Sequence, residues 1–224
     1  MKSKNRVNPK DRITREINDL QRGLAELEIN SGRAKKFTIY LELLYKYQNK
    51  INLISYNDHD RISRRHFLVS LIAYPYLKNA RHIADLGSGA GFPGVPLKIA
   101  LPEKEFVLIE SMQKRAKFLQ ELINKLELNS ISVFPDRAEN YHDKAFDMIL
   151  LRAAGKIKDN LRLIDRLLIP GGQAIFYKSS SVDGEIKKAQ SLMDKFGFTF
   201  QVEQRLTPIE KIPMSLVFLQ RHSA

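Results

Sequence analysis

The segment DLGSGAGFPG at residues 85–94 joins an acid to a G-x-G-x-G pattern at Gly87, Gly89 and Gly91. It follows the apolar run of residues 82–86, where a strand would end and a helix begin. Such a turn binds ligands at the carboxyl ends of strands in a doubly wound sheet, and glycines let the backbone approach the ligand closely. The Asp85 carboxylate suits a positively charged group of that ligand. The alternative is an ordinary glycine-rich loop.

A second acid, Glu110, ends the apolar run of residues 105–110. It stands about 20 residues beyond the glycines, where a carboxylate accepts hydrogen bonds from ribose hydroxyls. The alternative is an acid favoured by the dipole of the following helix. Phe92 occupies a position where a dinucleotide fingerprint has Gly or Ala, which disfavours a pyrophosphate ligand. The order of strand, glycine turn, helix, strand and acid therefore indicates a nucleoside cofactor.

Two more loops are expected at the same edge of the sheet. Residues 136–139 follow a third apolar run, where Ala138 and Glu139 would flank an adenine. The alternative is a solvated charged turn. Arg152 ends a fourth apolar run and is either an ion-pair member or a contact for the cofactor or for an RNA phosphate.

The elements that must position these residues alternate in type from about residue 79 onward. Short apolar runs predict strands at residues 82–86, 105–110, 131–134, 146–151 and 173–178. Between them we predict helices at residues 93–101, 111–126 (capped by Ser111), 161–168 and 182–196. This alternation indicates a parallel sheet covered on both faces. Residues 198–205 and 216–220, with no helix between them, predict an antiparallel hairpin at the edge of an α/β sheet, and the arrangement resembles the Rossmann-like class I methyltransferase fold.

Residues 1–78 predict a helical extension before a domain at residues 79–224. Apolar residues at helical spacing predict one helix from Ile13 to Leu27 and another from Phe37 to Tyr47, separated by residues 30–32. A third helix is expected from near Asp58. Residues 1–10 are expected to form a mobile arm.

Composition narrows the classes of function. The 224 residues include no cysteine, which excludes a thiolate nucleophile, and the five histidines lack metal-ligand spacing, so we predict no metal. No apolar run approaches the roughly 20 residues that cross a bilayer, and no secretory signal is present, which indicates a cytoplasmic protein. The formal charge of +12 predicts a polyanionic partner such as nucleic acid. We expect a monomer because no exposed apolar stripe stands out.

Several motifs together resemble the RsmG (GidB) family over about residues 35–178. They are DLGSGAGFPGVP at residues 85–96, Glu110-Ser111 with Lys114-Arg115 and Phe118-Leu119, and RRHF at residues 64–67 with Ser70-Leu71. The resemblance implies S-adenosyl-L-methionine as cofactor and methylation of N7 of a guanine in 16S ribosomal RNA. It also implies the 16S RNA or the small ribosomal subunit as partner.

The resemblance further implies roles for individual residues. It implies cofactor contacts at Gly87, Phe92, Ala138, Glu139 and Arg152, and a functional role for His66, which with Arg152 is a candidate catalytic residue. Two loops depart from the family pattern, at residues 153–157 and 179–181, and they leave the target nucleotide open. We predict RNA contacts from the basic side chains of Arg61, Arg64, Arg65, Lys156, Lys158 and Lys178.

A ring-nitrogen target fits the residues. N7 of guanine carries a free lone pair, so its methylation needs positioning rather than a general base. The absence of cysteine argues against methylation of pyrimidine C5. Residues 150–153 lack the Asn/Asp-Pro-Pro-aromatic loop usual for exocyclic amines. The alternatives are a class I methyltransferase acting on another RNA site or a small molecule, a non-catalytic RNA-binding protein on the same fold, and last a nicotinamide oxidoreductase.

Overall fold

The computed structural model describes residues 9–48, 50–143, 146–179 and 181–222. Its α-helices are α1 (Pro9–Glu26), α2 (Ala34–Tyr47), α3 (Leu68–Leu71), α4 (Gly94–Ala100), α5 (Gln113–Lys125), α6 (Ile157–Leu167) and α7 (Asp183–Lys195). The predicted arm ends too late, because α1 already begins at Pro9. Residues 1–8 of that arm lie outside the described residues.

The strands form one seven-stranded sheet with the order β3-β2-β1-β4-β5-β7-β6. They are β1 (His82–Leu86), β2 (Glu105–Ile109), β3 (Ile131–Phe134), β4 (Phe146–Arg152), β5 (Leu168–Ser179), β6 (Phe198–Leu206) and β7 (Pro213–Arg221). Strands β1 to β5 pair in parallel, whereas β7 is antiparallel to both β5 and β6. This confirms the predicted, mostly parallel sheet with an antiparallel hairpin at one edge.

The direction of strand order reverses at β1, which pairs with β2 on one side and β4 on the other. A crevice opens at such a reversal, at the carboxyl ends of the strands. The glycine turn follows β1, Glu110 follows β2, and Arg152 ends β4. The topology therefore brings these predicted site residues to one edge of the sheet.

Buried apolar side chains cover both faces of the sheet. On one face the amino-terminal helices contribute Leu20, Tyr40 and Phe67 to the same cluster as Ile83 and Leu108 of the sheet. On the other face, α6 and α7 pack over a second cluster. The predicted helical extension thus shares its core with the sheet, and the division at residues 78 and 79 stays a prediction.

Some predicted boundaries were wrong for local reasons. The third helix begins later than Asp58, with a π-helical segment at Ser63–Phe67 that leads into α3. Ser111 does not cap α5, whose N-cap is Met112 without a side-chain hydrogen bond. The Glu110 carboxylate accepts the Met112 N–H instead, so the acid replaces the serine at the start of this helix.

Two further boundaries differ around β5. Helix α6 starts at Ile157, earlier than expected, because Glu185 accepts the Ile157 N–H at 2.5 Å and satisfies a free donor of its first turn. The Pro170-Gly171-Gly172 segment, expected to separate a helix from a strand, lies inside β5. A register shift in the β4–β5 ladder accommodates it. Within the described ranges, no helix is both long and apolar enough to span a membrane.

Candidate functional site

The three glycines of the turn adopt positive φ angles of 72°, 58° and 99° at Gly87, Gly89 and Gly91, a region that L side chains rarely occupy. Their surroundings differ. A Cβ on Gly87 would meet no atom within 4 Å, so this residue faces open space. A Cβ on Gly91 would lie 2.6 Å from the Tyr40 hydroxyl oxygen. Gly87 can therefore admit a ligand, whereas Gly91 is required by packing.

Asp85 lies beneath the turn and is fully buried. Its Oδ2 accepts the Gly94 N–H at 2.9 Å and thereby ties the end of β1 to the start of α4. Its Oδ1 is buried without a hydrogen-bond partner among the described residues. Burial raises the pKa of Asp85 to about 7, and the Gly94 N–H opposes this shift. Asp85 lines neither of the two clefts described next.

Glu110 connects the glycine turn to the loop after β2. Its Oε2 accepts the Gly89 N–H at 2.8 Å, and its Oε1 accepts the Met112 N–H at 2.8 Å. An ionised carboxylate offers about four acceptor sites. Two remain for hydroxyl groups of a ligand, so Glu110 can hold the turn and a ribose together.

A cleft of about 300 Å³, here called the nucleoside cleft, opens beside Glu110. Ala138 and Glu139 line it from a short 3-10 turn. Arg166 fixes that turn by donating to the carbonyl oxygens of Ala138 at 2.8 Å and Glu139 at 3.0 Å. Leu163 of α6 adds an apolar wall. The cleft offers what a nucleoside base and its ribose require, a slot with apolar walls and a carboxylate.

A second cleft of about 250 Å³, here called the acceptor cleft, also borders the turn. It is lined by Leu53, His66, Gly87, Ser88, Gly89, Ala90, Phe92, Arg115, Arg152 and Ala153. Gly87 lines both clefts. The two cavities therefore meet at the residue where the backbone leaves space open.

Arg152 is held by the segment that carries His66. Its guanidinium donates to the Arg65 carbonyl at 2.7 Å, to the His66 carbonyl at 3.3 Å and to the Ser70 hydroxyl at 3.2 Å. It also lies over the Phe92 ring, 5.7 Å from the centroid. Burial lowers the pKa of Arg152 from its usual high value, but the carbonyl oxygens around it suit a cation.

His66 stacks on Phe92 with ring centroids 4.9 Å apart. Burial, and then the charges of Arg152 and Arg65, lower the pKa of His66 to about 3, so the imidazole is neutral at physiological pH. Nη2 of Arg152 lies 3.3 Å from Nδ1 of His66. Because a guanidinium only donates, we assign the proton to Nε2, which lies 3.4 Å from an Asp58 carboxylate oxygen.

Three carboxylates that sequence reasoning missed hold the π-helical segment. Glu16 accepts the N–H groups of Ile62 and Ser63 at 3.1 and 2.7 Å. Asp19 accepts from Nε and Nη2 of Arg64 at 2.7 and 2.9 Å, and Glu210 lies 2.6 Å from Arg65. Glu16 and Asp19 stand three residues apart among the apolar residues of α1, a pattern that hinted at buried acids. The sequence around Glu210 shows no comparable pattern.

The basic residues predicted to contact RNA fall into two groups. Arg64 and Arg65 are paired as above, Arg61 lies 4.0 Å from the Glu210 carboxylate, and Lys178 pairs with Glu185 at 2.7 Å. In contrast, Lys156 and Lys158 are exposed. In the part of the chain that the structure describes, no three His, Cys, Asp or Glu side chains are grouped to hold a metal ion.

Comparisons with known proteins agree with this geometry. The model of the GidB family, described as rRNA small subunit methyltransferase G, matches residues 33–207. The ribosomal RNA small subunit methyltransferase G of Lachnoclostridium phytofermentans is 34% identical over 188 residues, which cover 81% of this chain and 77% of the relative.

Two solved structures share the fold. A tRNA methyltransferase from Aquifex aeolicus has a TM-score of 0.54 at 15% identity and covers 69% of this chain and 68% of its own. M. jannaschii TYW2, solved in complex with AdoMet, has a TM-score of 0.54 at 15% identity, with 68% and 74% covered. These likenesses confirm the predicted methyltransferase fold and nothing finer. The family match over most of the length confirms the resemblance seen in the motifs: the chain belongs to the GidB family of small subunit rRNA methyltransferases.

Proposed function

We propose that this chain transfers a methyl group from S-adenosyl-L-methionine to N7 of a guanine in 16S ribosomal RNA. The observation that carries the proposal is the pair of clefts that meet at Gly87. One cleft suits a nucleoside and the other is lined by His66, Phe92 and Arg152. A donor and an acceptor placed in the two clefts would meet where Gly87 leaves the backbone open.

The residues of the nucleoside cleft fit the cofactor. Glu110 keeps free acceptor sites for the ribose hydroxyls while its two oxygens bind the N–H groups of Gly89 and Met112. Ala138 and Glu139 flank the base. Asp85 and Gly91 face the protein interior and act from beneath the turn, whereas Gly89 lines the acceptor cleft and binds Glu110 through its N–H. We assign these residues to cofactor binding by shaping the turn, and Gly87 and Glu110 to direct contact.

Methylation of guanine N7 requires few catalytic groups from the protein. S-adenosyl-L-methionine supplies a methyl group on a sulfonium sulfur, and the N7 lone pair forms its bond to carbon as the sulfur–carbon bond breaks. No proton leaves N7, so no general base is required. The neutral His66, whose pKa lies at about 3, fits this chemistry. His66 and Arg152 fix the Phe92 ring as one wall of the acceptor cleft and position the base.

The net charge and the family membership support a further part of the proposal, which concerns the substrate and the state in which the protein acts. A net charge of +12 favours a polyanionic substrate, and the relative from Lachnoclostridium phytofermentans is named for small subunit ribosomal RNA. We infer that one chain, acting as a monomer in the cytoplasm and without a metal, modifies the small ribosomal subunit or its RNA.

The test is methyl transfer from labelled S-adenosyl-L-methionine to small subunits that lack the modification, followed by mapping of the product nucleotide. A single N7-methylguanine in 16S RNA is the expected product. Glu110→Gln should weaken cofactor affinity about 10- to 100-fold, because an amide cannot accept both N–H groups of the turn. Glu127→Gln, at an exposed position after α5, is the matched control and should bind like the wild type.

Other outcomes would select among the alternatives. Cofactor binding without transfer to any RNA would indicate a small-molecule substrate. RNA binding without cofactor binding would indicate a non-catalytic RNA-binding protein on the same fold. Either result would refute the proposed reaction.

A further inference from the structure

One aromatic side chain projects into solvent from the loop between α2 and the π-helical segment. This loop, residues 50–61, is here called the tyrosine loop. Tyr56 at its tip is 77% exposed, whereas the next most exposed large apolar side chain in the described ranges, Leu206, is 58% exposed. Its ring meets His59 edge-on, with the ring centroids 5.3 Å apart, and its exposed surface is a flat face for stacking rather than an apolar patch for a protein core.

The tyrosine loop borders the acceptor cleft. Leu53 from this loop lines the cleft, and Asp58 lies 3.4 Å from Nε2 of His66. Hydrogen bonds fix its shape: the N–H groups of Asp58 and His59 donate to the Ser55 and Tyr56 carbonyls at 3.0 and 3.4 Å. Tyr56 thus belongs to a short ordered turn directly beside the lining of the acceptor cleft.

Arginines surround the tyrosine loop. Arg115 donates to the Asn52 carbonyl at 2.9 Å, and Arg15 donates to the Asp60 carbonyl at 3.3 Å. Arg12 pairs with the Asp60 carboxylate at 3.0 Å. Arg61 donates to the Asn57 carbonyl at 3.1 Å and lies 4.0 Å from the Glu210 carboxylate. Each guanidinium has five N–H donors, so each retains donors after these contacts. Phosphate oxygens match such donors in charge and geometry.

We propose that Tyr56 stacks on a base of the RNA that neighbours the target nucleotide, while the surrounding arginines contact the adjacent phosphates. Proteins bind single-stranded RNA by this combination of aromatic stacking and guanidinium contacts. The inference rests on the proposed RNA substrate and names a residue that positions it. A ribosomal protein is the competing partner, and a comparison of naked RNA with assembled subunits tests it.

Fluorescence offers a direct test because the chain contains no tryptophan. Tyr56→Trp introduces a single tryptophan at the tip of the tyrosine loop. Stacking on a base quenches indole emission, so saturating 16S RNA should remove most of the signal. Phe200→Trp is the matched control, since Phe200 is 41% exposed on the edge strand β6. Its emission should persist in the complex. Equal quenching of both variants, or of neither, would overturn the proposal.

Affinity provides a second measurement that does not depend on methyl transfer. Tyr56→Ala should weaken binding of naked 16S RNA about 5- to 100-fold, the usual effect of removing one stacking ring. Tyr56→Phe should restore it, and the affinity of both variants for S-adenosyl-L-methionine should be unchanged.

The outcomes separate this inference from the proposed function. A wild-type chain that binds RNA but does not methylate it would refute the proposed reaction, and the stacking role would stand if Tyr56→Ala still loses affinity. Unchanged RNA affinity of Tyr56→Ala would refute the stacking role alone. Loss of affinity for assembled subunits but not for naked RNA would also refute it and indicate a protein partner.

Discussion

Replacing Gly91 by alanine should destabilise the fold far more than the same change at Gly87. Both positions have positive φ, which costs an L residue ~1–2 kcal/mol. At Gly91 the new methyl carbon would also lie 2.6 Å from the Tyr40 hydroxyl and 2.8 Å from Val95. Overpacking of this kind costs ~1–3 kcal/mol, and displacing the Tyr40 hydroxyl from the Ala90 carbonyl adds ~1 kcal/mol.

At either position alanine also recovers ~0.4–1 kcal/mol by reducing the entropy of the unfolded chain, so the expected loss for Gly91→Ala is ~2–5 kcal/mol in the free energy of unfolding. Gly87→Ala should lose only ~1 kcal/mol, because no atom lies within 4 Å of the new carbon and because alanine reduces the entropy of the unfolded chain. Urea unfolding followed by circular dichroism measures both values.

The loss of ligand affinity should rank the two variants in the opposite order from the loss of stability. The methyl group of Gly87→Ala would project into the space that joins the two clefts, so this variant should lose affinity for S-adenosyl-L-methionine while remaining folded. Gly91→Ala, whose methyl group would point into the protein interior, should lose less affinity than Gly87→Ala in its folded fraction, measured by calorimetry in mild conditions. Equal losses of stability in the two variants would refute the assignment of Gly91 to packing and Gly87 to the ligand.

Two further changes test the buried acids. Burial raises the pKa of Asp85 to about 7, whereas the pKa of an aspartate in the unfolded chain is about 4. The protonated carboxyl therefore stabilises the fold fully below about pH 4, and this stabilisation is lost as pH rises through about 7. Between these two pH values, Asp85→Asn should therefore gain stability relative to the wild type by ~1 kcal/mol per pH unit. Urea unfolding of both proteins at several pH values in this window measures the difference in the free energy of unfolding. A difference that does not change with pH would contradict the prediction. Glu16→Gln should lose ~2 kcal/mol, since an amide leaves the Ile62 or Ser63 N–H without an acceptor, and Glu42→Gln at an exposed position of α2 should be unchanged in the same assay.

The sheet and the cofactor turn could be predicted because their information is local. Apolar runs alternating with helical patterns define β1 to β4, and the spacing from Gly87 to Glu110 follows from one strand–helix–strand unit. The hairpin of β6 and β7 was predictable because no helix separates the two runs. These features need no knowledge of contacts between distant parts of the chain.

The support of the acceptor cleft could not be predicted, because it depends on partners far apart in sequence. Glu16 and Glu210 belong to the first and last parts of the chain, yet both hold the segment that carries His66. The position of Arg152 was predicted at the end of β4. Its partners, the carbonyls of Arg65 and His66, follow from the π-helical geometry of that segment, which the apolar spacing of residues 62–71 does not reveal.

The position of Glu210 in the chain also affects the order in which the two clefts can form during translation. Strand β7 lies between β5 and β6, and Glu210, which pairs with Arg65, just precedes it in the chain. Synthesis proceeds from the amino end, so the residues of the nucleoside cleft emerge before Glu210 does. We expect a nascent chain to complete the support of its acceptor cleft only after Glu210 has emerged. A chain truncated before Glu210 would lack both the ion pair with Arg65 and strand β7, which joins β5 to β6.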